Sequence, residues 1–476
     1  MKSLFKIQLQ FLFIFCSVLL TGSLSAQNAG NINLKGNWLG ELVIPGQISL
    51  RMGVIVSQIS DNSYKAALNI IDQATGEIPI DEVVSGNDTV KFVLKGLGIV
   101  IEGQPDFQAG KLNCEFRQAG ARFPLVLDRV DKLPELLRPQ EPKAPFPYKA
   151  EEVVFVNTKA GIKLAGTLTI PEGRGKYPAV VMVTGSGKQN RDEEIAKHKP
   201  FWVIADYLTR NGIAVLRFDD RGVGKSTGDF DMATTGDFAD DALAAITYLQ
   251  KREEINRKEI GIIGHSEGGI AASVAASGSQ EVAFIVSLAG FARNFNEVAI
   301  EQMLDQSRRQ GRNAEDIELE RAWRKKVYGI AGEKTDSATA ARELWDAYNL
   351  LSQDEIKRLN WPKGRQDAHI KQILNLWWRY GLGFDSRAAL MKIKCPVLAL
   401  YGEKDEQVKP SDNVPFVEEA LKSGGYNRYD LKIMPGLNHL FQTATTGLEY
   451  EYTRIEETIS PEVLELMGEW IGKTTR

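Results

Sequence analysis

The segment over residues 260–276 begins with the apolar run Ile260–Ile263, continues as Gly264-His265-Ser266-Glu267-Gly268 and ends in the small-residue stretch Ile270–Ala276. A β-type run, a tight turn and a helix in this order place a serine on the sharp corner called a nucleophile elbow. The corner strains the serine backbone, and it requires glycine on both sides to avoid clashes. We therefore predict that Ser266 is a nucleophile at the end of a buried strand.

The base that would activate this serine is predicted from chain order. A serine hydroxyl needs a general base within hydrogen-bond reach and an acid that orients the base, and behind such an elbow the acid precedes the histidine. Of the four histidines, only His369 and His439 follow Ser266. His369 falls within a helical pattern, whereas His439 directly follows the β-type run Tyr429–Met434. His439 is therefore the predicted base, and His369 is predicted to be a surface or packing residue.

The predicted acid lies in the loop Gly402–Val408, which follows the apolar run Val397–Tyr401. Asp405 is the preferred candidate, and Glu403 and Glu406 are the alternatives in the same acidic turn. The acid would hold the tautomer of the base and stabilise the imidazolium without taking its proton.

Backbone N–H donors are needed for the oxyanion of a tetrahedral intermediate. The residue after the nucleophile, here Glu267, supplies one donor, and a loop after an earlier strand supplies the other. The loop Thr184–Gly187 follows the apolar run Ala179–Val183, and the Ser186 N–H is the predicted second donor. For the Glu267 side chain, a salt bridge to a nearby arginine is one interpretation.

Residues 149–476 show apolar runs that alternate with helical patterns. Runs that are apolar on both faces predict parallel strands covered by helices on both sides, an α/β fold. Helical periodicity predicts a helical insertion at about residues 292–385, which the family resemblance described below makes a cap. The cap holds five of the eight tryptophans, which either pack its own core or line a pocket. These are Trp323, Trp345, Trp361, Trp377 and Trp378.

The remainder of the chain divides into three predicted segments. Residues 28–133 contain short β-type runs between turn signals, which predicts a small all-β domain, a barrel or a sandwich. Residues 134–148 hold five prolines and form a stiff linker. Residues 1–26 have the charged, apolar and small-residue order of a signal peptide, with an apolar run too short to span a bilayer. We expect cleavage near Ala26, export to the periplasm or the cell exterior, and no stable membrane anchor.

The composition argues against several classes of function. A net charge of −4 provides no basic field for nucleic acid. Three cysteines without a C-x-x-C pair argue against a zinc cluster or a disulfide framework. Gly224-Lys225-Ser226 resembles the end of a phosphate-binding loop, but Asp219 stands where that motif requires glycine. We therefore expect no nucleic-acid partner, no cofactor and no metal.

These motifs together resemble the α/β-hydrolase superfamily from about residue 151 onward. The resemblance rests on the elbow, on the order of nucleophile, acid and base, and on Arg217–Ser226, which is similar to a D-x-R-G-x-G-x-S loop of the superfamily. More narrowly, the G-H-S-E-G-G elbow with Thr184–Gly187 and Arg191-Asp192 is similar to exported bacterial carboxylesterases that carry an N-terminal β domain. This resemblance implies that the protein hydrolyses a small-molecule or acylated-carbohydrate ester through an acyl-enzyme.

Two alternatives to the esterase hypothesis remain open. A serine peptidase of the same fold would need a site that grips a peptide backbone or terminus. A carbohydrate-binding protein would use the β domain for binding and would carry an inert hydrolase domain.

Overall fold

The computed structural model describes residues 33–44, 48–60, 63–73, 75–86, 88–333, 336–361 and 364–476. The predicted signal peptide and its cleavage near Ala26 lie outside these residues. The chain divides into two units, Met1–Leu137 and Arg138–Arg476. In the described part of the chain, no helix is long and apolar enough to cross a lipid bilayer.

The first unit contains a nine-stranded antiparallel sheet in the order β4-β3-β2-β1-β9-β8-β7-β6-β5. Side chains along its strands alternate between buried and partly exposed positions, as Val90, Phe92 and Leu94 do in β6, so one face forms the core. Trp38 is fully buried there, and its indole N–H donates to the Leu34 carbonyl. The strands are β1 Gly36–Ile44, β2 Ile48–Ser60, β3 Ser63–Ile70, β4 Ile78–Pro79, β5 Glu82–Ser85, β6 Val90–Leu94, β7 Ile99–Asp106, β8 Lys111–Gln118 and β9 Ala121–Val130.

The second unit is built on an eight-stranded sheet in the order β10-β11-β13-β12-β14-β15-β16-β17. Strands β10, β11 and β13 pair antiparallel, and every pairing from β13 to β17 is parallel. The strands are β10 Tyr148–Asn157, β11 Ile162–Pro171, β12 Tyr177–Val183, β13 Ala214–Phe218, β14 Ile255–His265, β15 Ile285–Leu288, β16 Val397–Gly402 and β17 Tyr429–Met434. The carboxyl ends of the parallel strands share one edge, where ligands bind in open α/β sheets.

Helices cover both faces of this sheet, and the predicted α/β-hydrolase fold is confirmed. Alternate residues of β12 enter different cores, with Val181 on one face and Val180 and Met182 on the other. The helices are α1 Pro200–Arg210, α2 Thr235–Leu249, α3 Glu267–Gly278, α4 Phe295–Arg309, α5 Ala314–Gly332, α6 Ser337–Asn349, α7 Gln353–Arg358, α8 Gln366–Ile373, α9 Leu376–Gly383, α10 Ser386–Leu390, α11 Pro410–Ser423 and α12 Pro461–Thr474. Helices α2, α3 and α11 pack on the Val181 face, and α1 and α12 on the opposite face.

Helices α4–α9 form a cap between β15 and β16, where the sequence predicts it. Its own apolar core includes the fully buried Leu304, Val327 and Leu344. Trp323, Trp361 and Trp378 pack in or against that core, and Trp345 is partly exposed. Core packing therefore accounts for most of the aromatic content of the cap, and Trp377 is the exception.

Candidate active site

Ser266 stands at the corner between β14 and α3, with φ 53° and ψ −117°. Its backbone N–H donates to the Leu288 carbonyl at 2.7 Å. A Cβ on Gly264 would lie 2.0 Å from the Gly268 carbonyl oxygen, and a Cβ on Gly268 would lie 2.1 Å from that of Val183. Side chains at either glycine would clash with backbone, so the strained corner depends on both.

His439 and Asp405 follow β17 and β16, which are parallel neighbours, so their loops leave the sheet side by side. His439 Nδ1 donates to Asp405 Oδ2 at 2.7 Å. Asp405 Oδ1 accepts the N–H groups of Gln407 and Val408, each at 2.8 Å. Asp405 is 1% exposed and His439 is 4% exposed. The carboxylate therefore holds the imidazole in one orientation with the proton on Nδ1.

The loop of His439 lies against the elbow. The His439 ring centroid is 4.7 Å from that of His265, the residue before Ser266. No hydrogen bond joins Ser266 Oγ to His439 in the described residues. Such bonds are often long in proteins without a ligand and shorten when substrate binds. The structure thus brings the predicted base and acid into contact and places the loop of the base against the residue that precedes Ser266.

The two predicted oxyanion donors, the N–H groups of Glu267 and Ser186, have no hydrogen-bond partner among the described residues. Glu267 is the first residue of α3, where helix N–H groups lack intrahelical partners. In the other loop, the Gly185 N–H donates to Glu193 Oε1 at 2.7 Å. The Gly185 N–H is therefore already used in a hydrogen bond, whereas the Ser186 N–H is available to an oxyanion.

The alternative acids and base make other contacts. Tyr348 hydrogen-bonds to His369 Nδ1 inside the cap, and burial lowers the pKa of His369 to about 3. This makes His369 a packing residue of the cap. Glu403 Oε2 accepts the N–H of Gly436 at 2.8 Å. Glu406 pairs with the side chains of Lys409 and Arg309, and in the described part of the chain neither glutamate forms an ion pair or hydrogen bond with a histidine.

The Glu267 side chain is buried, and it bonds to hydroxyl and indole groups. Its Oε1 accepts Thr235 Oγ1 and Trp377 Nε1, both at 2.7 Å. Burial raises the pKa of Glu267, and hydrogen bonds from Thr235, Trp377 and the Ser186 hydroxyl offset only part of this effect. In the described part of the chain this carboxyl makes no salt bridge, so the arginine interpretation is wrong.

Glu267 and Trp377 line a narrow pocket between the elbow helix and the cap. The other lining residues are mostly apolar or aromatic: Thr235, Ile270, Phe291, Phe295, Gly381, Phe384 and Ser386. Trp377 therefore reaches the pocket, as one of the two tryptophan interpretations predicts. Among the described residues, no group of His, Cys, Asp and Glu side chains is suited to hold a metal ion.

A second buried histidine–carboxylate pair, His265 with Glu193, is absent from the sequence prediction. His265 occupies the variable position of G-x-S-x-G, and Glu193 lies in the charged run Arg191–Glu194, where spacing carries no signal. Their contact joins residues 72 positions apart. The sequence offers one hint of this pair, since the polar His265 follows an otherwise apolar run. The hint acquires a meaning only once the structure is known.

Ion pairs fix the segment that carries Glu193. Arg191 donates to both carboxylate oxygens of Asp219, at 3.0 and 2.8 Å. Asp192 pairs with the buried Arg217 of β13. The loop that resembles the D-x-R-G-x-G-x-S motif thus anchors the loop beside the elbow.

A family model described as X-Pro dipeptidyl-peptidase (S15 family) matches residues 160–437. This range contains seven of the eight strands of the sheet, β11 to β17, together with the elbow and Asp405, and it ends two residues before His439. It covers more than half of the chain.

Two curated relatives illustrate the similarity. Esterase EstD of Thermotoga maritima is 23% identical over 451 residues, which cover 92% of this chain and 98% of the esterase. The 2,6-dihydropseudooxynicotine hydrolase of Paenarthrobacter nicotinovorans is 31% identical over 157 residues, 33% of this chain and 39% of that enzyme.

Solved structures resemble part of the chain at low identity. The Pyrococcus furiosus esterase PF2001 has a TM-score of 0.41 and 17% identity, covering 71% of this chain and 97% of its own. The α/β hydrolase GrgF from a Penicillium species has a TM-score of 0.43 and 18% identity, covering 69% and 98%.

Proposed function

The chain belongs to the X-Pro dipeptidyl-peptidase (S15) family, and we propose that within this family it acts as a serine carboxylesterase. It is a hydrolase of the α/β fold. The proposal concerns which bond it cleaves and which residues carry out the reaction. The His439–Asp405 pair at 2.7 Å beside the elbow carries the proposal. The similarity to esterase EstD along 92% of the chain favours an ester over other acyl bonds.

In the proposed acylation step, Ser266 Oγ attacks the ester carbonyl carbon while His439 Nε2 takes the hydroxyl proton. The carbonyl oxygen becomes an oxyanion that accepts the N–H groups of Glu267 and Ser186. The tetrahedral intermediate then expels the alcohol oxygen, which takes the proton from His439. Asp405 holds the imidazolium in place throughout.

The acyl-enzyme is then hydrolysed by the reverse use of the same groups. Water attacks the acyl carbonyl carbon, and His439 takes its proton. Collapse of the second tetrahedral intermediate breaks the bond to Ser266 Oγ, which takes the proton back. The carboxylic acid leaves, and neither of the two steps consumes a cofactor.

Labelling with a fluorophosphonate probe tests the activated serine directly. The purified protein should gain one adduct by intact mass, and Ser266→Ala should gain none. Glu403→Gln is the matched control, because this carboxylate lies in the acid loop without touching His439. A folded wild-type protein that acquires no adduct would contradict the proposed triad.

A serine peptidase is the second candidate, since the matching family is described as X-Pro dipeptidyl-peptidase. Comparing p-nitrophenyl esters with X-Pro p-nitroanilides separates the two candidates. We expect kcat/KM to be higher for esters, and faster turnover of the anilides would make the peptidase the function. Export and the natural ester, a small molecule or an acylated carbohydrate, stay predictions.

A further inference from the structure

Three loops meet at the buried side chains of His265 and Glu193, which are 5% and 1% exposed. His265 Nδ1 lies 2.9 Å from Glu193 Oε1, and the same oxygen accepts the Gly185 N–H at 2.7 Å. His265 Nε2 lies 3.0 Å from the His439 carbonyl oxygen. One histidine thus contacts the loop after β12 through Glu193 and the loop after β17 directly.

Both ring nitrogens of His265 face oxygen acceptors. A neutral imidazole has one donor and one acceptor nitrogen, whereas the imidazolium donates from both. A backbone carbonyl cannot donate, and Glu193 Oε1 already accepts from Gly185. The geometry fits an imidazolium–carboxylate pair, in which both ring nitrogens donate to oxygen acceptors.

The charges around His265 favour this protonation state. Burial by itself lowers the pKa of His265, but Glu193, the His439 carbonyl and the more distant Asp405 outweigh burial and raise it. The titratable His439 ring also packs against His265.

The backbone around Glu193 is shaped to reach this position. Glu193 has φ 50°, a left-handed conformation that costs free energy for a residue with a side chain. A Cβ on Gly185 would lie 3.2 Å from Glu193 Oε1, so the carboxylate approaches the backbone of residue 185 closely. The ion pairs of Arg191 and Asp192 hold the segment in this conformation.

We infer that His265 and Glu193 are positioning residues that align the Ser186 donor and the His439 base with the elbow. This inference rests on the proposed function. Gly185 precedes Ser186, so fixing the Gly185 N–H on Glu193 orients the next peptide group. Holding the His439 carbonyl fixes the backbone from which the base projects. A catalytic group displaced by about 1 Å can lose about 10²-fold in rate.

The test compares Glu193→Gln with Glu194→Gln in the full chain, using a p-nitrophenyl ester. Glutamine at residue 193 can still accept from Gly185 but has no charge to hold the imidazolium. We expect kcat to fall about 10²-fold with KM little changed, as for a loss confined to the transition state. Glu194 pairs at the surface with Lys197, so Glu194→Gln should behave as wild type.

A pH profile distinguishes positioning from general destabilisation. In wild type, kcat should fall on the alkaline side as His265 loses its proton, and this limb should be missing in His265→Gln. If Glu193→Gln does not fold, judged by circular dichroism, His265→Gln is measured for kcat instead. A folded variant with wild-type kcat and an unchanged alkaline limb would overturn the inference. Failure of fluorophosphonate labelling in wild type would overturn the proposed function first.

Discussion

Two buried histidine–carboxylate pairs lie side by side in this protein, and they differ in what the histidine does with its second nitrogen. Both pairs have short contacts, 2.7 Å for His439–Asp405 and 2.9 Å for His265–Glu193. His439 has only Nδ1 engaged, and its Nε2 has no hydrogen-bond partner among the described residues. His265 has both nitrogens engaged by oxygen atoms.

This difference distinguishes the proposed general base, His439, from the inferred positioning residue, His265. A general base needs one nitrogen that can accept and return a proton, and a carboxylate that keeps the other nitrogen protonated. A histidine that donates twice has no such nitrogen, so it can only hold other groups. Contact with a buried carboxylate therefore does not identify a catalytic histidine.

The largest expected effect distinguishes the two histidines by activity. His439→Ala should lower kcat about 10⁶-fold, as does removal of the nucleophile or base in comparable triads. The variant should remain folded by circular dichroism, with the kinetics of ester hydrolysis as the measurement. Loss of the same size in a folded His265→Gln would erase the distinction between the pairs.

Replacing the acid of the first pair should have the next largest effect. Asp405→Asn keeps the shape but favours the wrong imidazole tautomer, and we expect kcat to fall about 10⁴-fold. Glu406→Gln, in the same turn, should leave kcat near the wild-type value. The esterase assay over a range of pH measures both, and a mild effect at Asp405 would point to another acid.

The second pair should also contribute to stability, in addition to its smaller effect on kcat. Because the folded pKa of His265 is raised above 6.5, its stabilisation is full below that pH and is lost as the pH rises through the folded pKa. His265→Gln should therefore cost about 3–5 kcal/mol of unfolding free energy in mild acid, and less in alkali. Urea unfolding of both proteins across pH measures the difference, and a pH-independent cost would argue against an imidazolium.

The sequence predicts the first pair but not the second for a physical reason. Asp405 and His439 follow apolar runs, and the ends of parallel strands meet at one edge, so their proximity follows from topology. Glu193 lies in a loop whose path depends on ion pairs such as Arg191–Asp219 and on a left-handed backbone. These are tertiary effects that periodicity does not encode. The fold was predictable because alternating apolar runs record burial directly.

The neighbours of Ser266 in the chain extend the comparison to substrate choice. His265 contacts the loop of His439 at the His439 carbonyl oxygen, whereas Glu267 Oε1 accepts a hydrogen bond from Trp377 of the cap. Trp377→Ala should therefore open the pocket and change the ratio of kcat/KM between long and short p-nitrophenyl esters by about tenfold. Removing the indole also frees one acceptor position on Glu267, but Thr235 still donates to it.

Trp378→Ala is the matched control for this effect, because Trp378 packs against Phe295 and Tyr328 in the cap and is not a lining residue of the pocket. It should lower the melting temperature and leave the ester ratio unchanged. Equal ratios for wild type and both variants would mean that the cap does not contact the acyl chain. Equal changes in both variants would mean that cap stability, rather than the Trp377 side chain, determines substrate preference.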